Sequence, residues 1–189
     1  MTTKRLLYLT GPPGSGKSTL MAAVIETLGG VGKQETKPFA HCHLGGSTPG
    51  EELIVLGKYG GDEMFPGTDR LSMSVQPKVI EFLLGEDGPA YVAGEGDRLA
   101  SALFFDRLSF EGVEVFHIAV MLDEATLARR REARGWEPNQ AWLKGRHTKA
   151  SKLAVRCDLQ VSGSLRGPEL QDVALNLAEM MVGCTPNPD

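Results

Sequence analysis

The sequence predicts an α/β fold in which a mostly parallel sheet is covered by helices on both faces. Three observations carry that expectation. Apolar runs at residues 5–10, 90–93 and 113–122 are short enough for buried strands and lack the alternation of a half-solvated sheet. Helix-periodic stretches at 17–28, 77–84 and 123–134 alternate with them. The first apolar run leads through a glycine-rich turn straight into the first helix, as a strand feeds a crossover helix.

Taken in order, residues 5–10 form the first strand, ended by Gly11-Pro12-Pro13. In 17–28, Leu20, Met21, Val24, Ile25 and Leu28 share one helical face, and Gly29-Gly30 stops the helix. Residues 38–44 and 53–56 are strand-like, with 45–50 as the turn between them. The glycine-rich, polar stretch 57–74 is expected to be a long functional loop. A short helix at 77–84 precedes the strand 90–93, which opens into Gly94-Glu95-Gly96-Asp97-Arg98. Residues 113–122 are the most apolar strand. Asp123 caps a helix running through Arg134 and closed by Gly135. A last strand at 159–162 and an amphipathic helix at 167–181 complete the pattern. No repeat, low-complexity tract or linker interrupts it, so residues 1–189 are expected to form one domain.

Residues 11–19, Gly-Pro-Pro-Gly-Ser-Gly-Lys-Ser-Thr, match G-x-x-x-x-G-K-[ST] in full, between a predicted strand and a predicted helix. Each residue type has a reason. Gly11, Gly14 and Gly16 allow the backbone to turn its N–H groups, with those of Ser15 and Thr19, toward phosphate oxygens. The N-terminus of the following helix adds its positive dipole end. Lys17 can reach β- and γ-phosphates, and the Ser18 hydroxyl can ligate Mg²⁺. The fold class narrows to the three-layer P-loop NTPase arrangement.

Charged residues make up 23% and hydrophobic residues 41% of the chain, both ordinary for a soluble globular domain. The net charge of −4 gives no general attraction to polyanions. Nine of the 20 Lys and Arg nevertheless fall within 126–156, against only Glu132 and Glu137. One basic segment, a candidate lid, sits on an acidic body. Cys42, Cys157 and Cys184 are odd in number and widely spaced, which argues against a disulfide framework or zinc site. The N-terminal apolar run is too short for a secretory leader, and no run approaches ~18 apolar residues. A soluble, cytoplasmic protein without membrane contact is expected.

Two further segments carry chemistry. Glu95 and Asp97 leave a buried strand at its C-terminal edge, where a carboxylate can hold Mg²⁺ or accept a hydroxyl proton. A polar loop after a strand is the plain alternative. On the helix from Asp123, Arg130 and Arg134 share a face, as do Leu127 and Arg131. Guanidiniums beside a phosphate loop neutralise charge during phosphoryl transfer; a solvated basic face is the plain alternative. GTPases carry an N-K-x-D base-reading motif, absent here, and the chain is short for a remodelling ATPase. A nucleotide-hydrolysing switch or ATPase subunit acting on a protein is the rival class to a kinase.

With these residues the chain resembles the nucleoside and nucleotide kinases, including the thymidylate kinase branch. That resemblance implies a Mg²⁺ or base role for Glu95 or Asp97, a phosphate role for Arg98, and ATP contacts for Arg130 and Arg134. The Asp69-Arg70-Leu71-Ser72-Met73-Ser74-Val75-Gln76 segment is loosely similar to that branch's D-R-x-x-S-x-x-x-Q pattern, but it precedes the third strand. The chain also resembles small bacteriophage P-loop kinases, some of which phosphorylate 5-hydroxymethyluridine already built into DNA; such a protein would work in the host cytoplasm. ATP and Mg²⁺ are the implied cofactors, and a nucleotide-type acceptor, free or in DNA, the implied partner.

Asp69 and Arg70, at the end of the loop 59–70, are the candidate acceptor-binding residues. The basic stretch 142–152 is open to three readings: a lid over ATP, a nucleic-acid contact with Trp136 and Trp142 for stacking, or a solvated face. His41 and His43 share a strand face without a third metal ligand, and His117 reads as a core residue.

Overall fold

The computed structural model describes residues 3–47, 51–59 and 67–183. The first half contains β1 (Arg5–Thr10), α1 (Lys17–Thr27), β2 (Val31–Glu35), β3 (His41–Leu44) and β4 (Leu53–Leu56). A 3-10 turn at Thr68–Arg70, α2 (Gln76–Leu84) and β5 (Tyr91–Glu95) follow. The second half contains α3 (Ala102–Phe110), β6 (Glu114–Met121), α4 (Glu124–Ala133), α5 (Gln140–Ala154), β7 (Leu159–Ser162) and α6 (Gly167–Val182).

The strands form one seven-stranded sheet in the order β2-β3-β4-β5-β1-β6-β7. β4, β5, β1, β6 and β7 run parallel. β2 and β3 extend the β4 side as an antiparallel pair. Side chains of β1 alternate between two cores. Leu7 and Leu9 pack with Leu20, Met21 and Val24 of α1 and with Leu177 and Met181 of α6. Leu6 and Tyr8 pack with Val79 and Leu83 of α2 and with Phe104, Phe105 and Leu108 of α3. All four β1 residues are 0% exposed, as expected of a central strand whose faces are both covered. This is the three-layer P-loop fold, and it places the ends of β1 and β5 side by side.

Several elements depart from the sequence reading, each for a physical reason. β2 was not expected because Val-Gly-Lys-Gln-Glu is almost wholly exposed; its pairing with β3, not burial, makes it a strand. Of the strand expected at 38–44, only His41–Leu44 forms, since Pro38 has no N–H for a ladder. α3 was missed because it is apolar on both sides: Phe104 and Leu108 are buried, whereas Leu103 and Phe110 are 82% and 83% exposed. Its start is nevertheless capped, Ser101 accepting from the Phe104 N–H. α5 was read only as a basic stretch with no secondary structure assigned, yet Asn139 caps the N–H groups of Ala141 and Trp142 and a helix of 15 residues follows. The 57–74 loop contains the 3-10 turn. Its residues 60–66, like 48–50 of the expected turn and Cys184, lie outside the described residues.

Candidate functional site

β1 ends at buried Thr10 and the chain turns sharply into α1 through three glycines with positive φ: Gly11 at 149°, Gly14 at 85° and Gly16 at 104°. Gly16 is the N-cap of α1 and has no room for a side chain, a Cβ there falling 2.9 Å from the Gly163 carbonyl oxygen. The sequence thus bends the loop at the end of β1, where Gly11, Gly14 and Gly16 line a cavity. The Lys17 ammonium lies over the loop, donating to the carbonyls of Gly11 (3.0 Å) and Pro12 (3.1 Å). Burial pushes its pKa down, opposed chiefly by the negative charge of Glu95. A phosphate at this position supplies the countercharge that a crowded ammonium needs.

Glu95 ends β5 and is 2% exposed. Its pKa is raised to about 7 by burial, against the pull of Lys17 and a hydrogen bond with Ser18. Its Oε1 has no hydrogen-bond partner and the side chain lines a cavity of about 480 Å³. Leaving a buried acceptor unpaired costs ~1–3 kcal/mol. Together with the Ser18 hydroxyl, which lines the same cavity, it forms an all-oxygen pair of the kind Mg²⁺ takes. The residues therefore fit a nucleotide accompanied by a hard cation.

Immediately after Glu95 the chain makes a tight turn. Gly96 has φ 115°, and a Cβ there would lie 2.8 Å from Thr68 Oγ1 and 3.0 Å from Asp69 Oδ1. The crowding has a purpose: Asp69 Oδ1 accepts hydrogen bonds from the N–H groups of Asp97 (2.7 Å) and Arg98 (3.0 Å). Thr68 donates to the Glu95 carbonyl at 2.7 Å, and the Tyr8 hydroxyl lies 2.8 Å from Thr68 Oγ1. Arg98 closes the lattice, donating to the Asp69 carbonyl (3.2 Å) and contacting Met73 Sδ. The 3-10 turn is thus a bracket for the carboxylate-bearing turn. Asp69 lines the cavity, but its Oδ1 is committed to holding Asp97 and Arg98. Arg70 sits on the same turn and is not among the cavity-lining residues.

Asp97 faces the opposite wall. It pairs with Lys149 at 2.9 Å and with Arg146, and Lys149 also donates to the Asp97 carbonyl at 2.8 Å. Both cations belong to α5. Trp136 and Trp142 meet edge to face at 5.7 Å between ring centroids, and the Arg146 guanidinium lies 5.2 Å from the Trp142 ring centroid. These rings and cations, with Lys17, Ser18 and Glu95, line one continuous cavity.

The arginines of α4 divide their tasks. Arg134 lines the cavity. Arg130 donates to the carbonyls of Gly14 (3.1 Å) and Gly163 (3.0 Å), bracing the phosphate loop from behind. Arg131 is buried and pairs with Glu124 at 2.6 Å, and Glu124 also meets His147 of α5 at 3.0 Å. Ser15 is buried beneath the loop and Thr19 borders the cavity. Away from the site, His41 contacts the Phe39 carbonyl, His43 pairs with Glu52, and His117 bonds Thr10 within the core. No cluster of metal-binding side chains forms among the described residues.

Sequence reasoning named the basic stretch but not Arg146 and Lys149 as the partners of Asp97. The missing signal was the Asn139 cap. Once α5 starts there, Trp142, Arg146 and Lys149 follow at i, i+4 and i+7 and share a face.

The family model described as P-loop Nucleotide Kinase3 matches residues 2–168. Among solved structures, a gluconokinase from Sinorhizobium meliloti 1021 superposes with a TM-score of 0.53 at 15% identity, covering 97% of this chain and 96% of that one. The crystal structure of APE1195 gives a TM-score of 0.50 at 15% identity, covering 97% and 98%. At such identity the likeness is one of fold. No curated protein sequence matches. No helix among the described residues is long and apolar enough to cross a membrane. The loop of the G-x-x-x-x-G-K-[ST] motif, the strand that ends in a carboxylate and the family match agree: the chain belongs to the P-loop Nucleotide Kinase3 family and is a nucleotide-binding kinase.

Proposed function

We propose that the protein is an ATP- and Mg²⁺-dependent kinase that transfers the γ-phosphoryl group to a hydroxyl of a nucleotide-type acceptor, the 5-hydroxymethyl group of 5-hydroxymethyluridine in DNA being the reading we favour. The whole chain acts as one kinase domain, with the basic segment 126–156 as its lid. The observation that carries the proposal is the two-sided cavity. One side holds Lys17, Ser18 and Glu95; the other sets Asp97 between Lys149 and Arg146 beside the Trp136–Trp142 pair.

Lys17 and the loop amides hold the β- and γ-phosphates. Ser18 and Glu95 are the pair that would hold Mg²⁺, whose contribution is to neutralise phosphate charge. The acceptor hydroxyl oxygen forms a bond to the γ-phosphorus as the bond to the bridging β–γ oxygen breaks. ADP leaves with that electron pair, and the hydroxyl proton passes to Asp97. A loose transition state asks little of its base, so a carboxylate already paired with two cations suffices. The same cations, with Arg134, meet the charge spreading over the transferred group. An aromatic wall suits a nucleobase face, and backbone-reading cations suit its phosphates. A free nucleoside monophosphate acceptor, as in thymidylate kinases, is supported only by the Asp69-Arg70 segment, whose carboxylate is engaged by backbone N–H groups.

A transfer assay with γ-labelled ATP tests this. Hydroxymethylated DNA, plain DNA, free nucleosides and free nucleotides are offered in parallel. Label on hydroxymethylated DNA is the expected result. Label on free nucleotides alone moves the acceptor to the thymidylate-like reading, and label only in inorganic phosphate makes the chain a hydrolase.

A further inference from the structure

A second recess lies on the other side of α5, between that helix and the start of α3. It is an open groove of about 670 Å³ whose lining includes Lys144, Thr148, Lys149 and Lys152 of α5 facing Ser101 and Ala102. Its floor is apolar, formed in part by Leu153, which is 7% exposed. No carboxylate lines it, in a chain whose net charge is −4. Lys144, Thr148 and Lys152 stand at i, i+4 and i+8, so they form one exposed row along the groove. Lys144 and Lys152 make no ion pair among the described residues, unlike Arg146 and Lys149 of the same helix. At 1.5 Å per residue the row is ~12 Å long, enough to meet only a few successive phosphates of a single strand.

Lys149 joins the two recesses. It lines both, and its ammonium rests on Asp97 at the acceptor side of the catalytic cavity. A chain lying along Lys152, Thr148 and Lys144 therefore passes the cavity mouth, where Trp142 and Arg146 offer a ring and a guanidinium for stacking.

We infer that this groove binds the sugar-phosphate backbone of a single-stranded nucleic acid, holding the strand whose acceptor base enters the catalytic cavity. The inference rests on the nucleotide-acceptor reading above for the identity of that base. Cations at helical spacing over an apolar floor, with aromatic stacking next to them, follow the design of sequence-tolerant strand binding. An acidic protein segment would use the cations but leave the adjoining rings without a planar partner.

The test measures binding apart from chemistry. A fluorescein-labelled single-stranded DNA of about twelve nucleotides, within the range of such sites, is titrated with nucleotide-free protein at several salt concentrations and followed by anisotropy. The Lys144→Ala/Lys152→Ala variant is expected to bind roughly ten- to thirtyfold more weakly near 0.1 M salt, and its log–log salt slope should be shallower by about 1.4. A Lys37→Ala/Lys78→Ala variant removes the same charge from exposed positions outside the groove and should change neither quantity. Both variants alter exposed side chains, and circular dichroism melts verify that each folds.

An unchanged slope in the groove variant, an equal loss in the control variant, or no wild-type binding at about 50 mM salt overturns the groove. Displacement of the DNA by an equal charge of polyglutamate overturns it in favour of an acidic protein. The two readings fail separately. Groove-dependent DNA binding with no label transferred to any nucleic acid overturns the acceptor reading and leaves the groove; label transferred to hydroxymethylated DNA while the groove variant binds DNA as wild type does overturns the groove and leaves the acceptor reading.

Discussion

The two sides of the catalytic cavity are built in opposite ways. The triphosphate side is nine consecutive residues whose glycines, lysine and hydroxyls do their work from backbone geometry dictated locally. The proposed acceptor side is assembled from the 3-10 turn, the end of β5, the α4–α5 connection and α5, joined by side-chain contacts across 28 to 52 positions of sequence. Local construction yields a motif that any strand–helix junction can carry. Distributed construction ties the acceptor side to the particular way this chain packs, and so allows specificity to vary while the donor side stays fixed.

That contrast sets the largest expected effect on the donor side. Lys17→Ala removes the cation aimed at the β- and γ-phosphates without disturbing the core, since its hydrogen bonds among the described residues go to carbonyls of its own loop. A fall in kcat/KM of about 10³-fold or more is expected, with an unchanged thermal unfolding profile. Turnover near the wild-type rate would break the assignment of the donor side.

Asp97→Asn probes the acceptor side. It keeps the side chain's size but removes its charge and proton affinity. A loss of about 10²–10³-fold in kcat is expected, with binding of a non-hydrolysable ATP analogue by calorimetry preserved. If kcat survives and analogue binding falls, Asp97 serves the donor side, and the division of labour between Glu95 and Asp97 must be reversed.

Glu95 lies where the two sides meet, and its titration sharpens the comparison. Its folded-state pKa of about 7 lies above the ordinary 4.5, because burial disfavours the carboxylate. Between those values the folded protein holds a proton that the unfolded chain has released. Stability of the metal-free protein therefore falls as pH rises from about 5 to about 8, and Glu95→Gln removes that dependence. Chemical denaturation in EDTA should show the variant gaining about 2–3 kcal/mol over wild type at the alkaline end and little at the acid end. Parallel curves for the two proteins would mean that the carboxylate is satisfied, and would end its case as a metal ligand.

The same contrast explains what could be read from the sequence. Residues 11–19 were legible because every constraint on them is local: a turn needing φ > 0, a lysine and a hydroxyl at fixed offsets. β1, β4 and β7 were legible from apolar content and turn residues, and the Asp123 cap from its position before a periodic run. β2 was not, because only its partner makes it a strand. The pairing of Asp97 with Arg146 and Lys149 was not, because α5 carries Gly145 and five basic or histidine side chains that mask its period. Arg130 and Arg134 were named together, yet a helix face cannot say which of them braces the loop and which reaches the cavity. Asp69 was legible as a polar candidate at the end of the 59–70 loop, but its service to two backbone N–H groups depends on a turn folded against it.

Asp69 also supplies the smallest and most discriminating test. If it is a bracket, what matters is an acceptor oxygen at Oδ1 and not a negative charge. Asp69→Ala strands the N–H groups of Asp97 and Arg98 in a crowded turn, for which about 1–3 kcal/mol of stability is the expected cost in urea unfolding. Misplacement of Asp97 should then appear mainly in kcat, since Trp142, Arg146 and Lys149, the ring and cations proposed to bind the acceptor, belong to α5. Asp69→Asn retains a carbonyl oxygen of the same reach and should recover most of both losses. A substrate-contacting carboxylate predicts the opposite pattern. Alanine and asparagine would then raise the acceptor KM alike while the unfolding curve stayed where it was, and Asp69 would pass from the frame of the acceptor side to its binding surface.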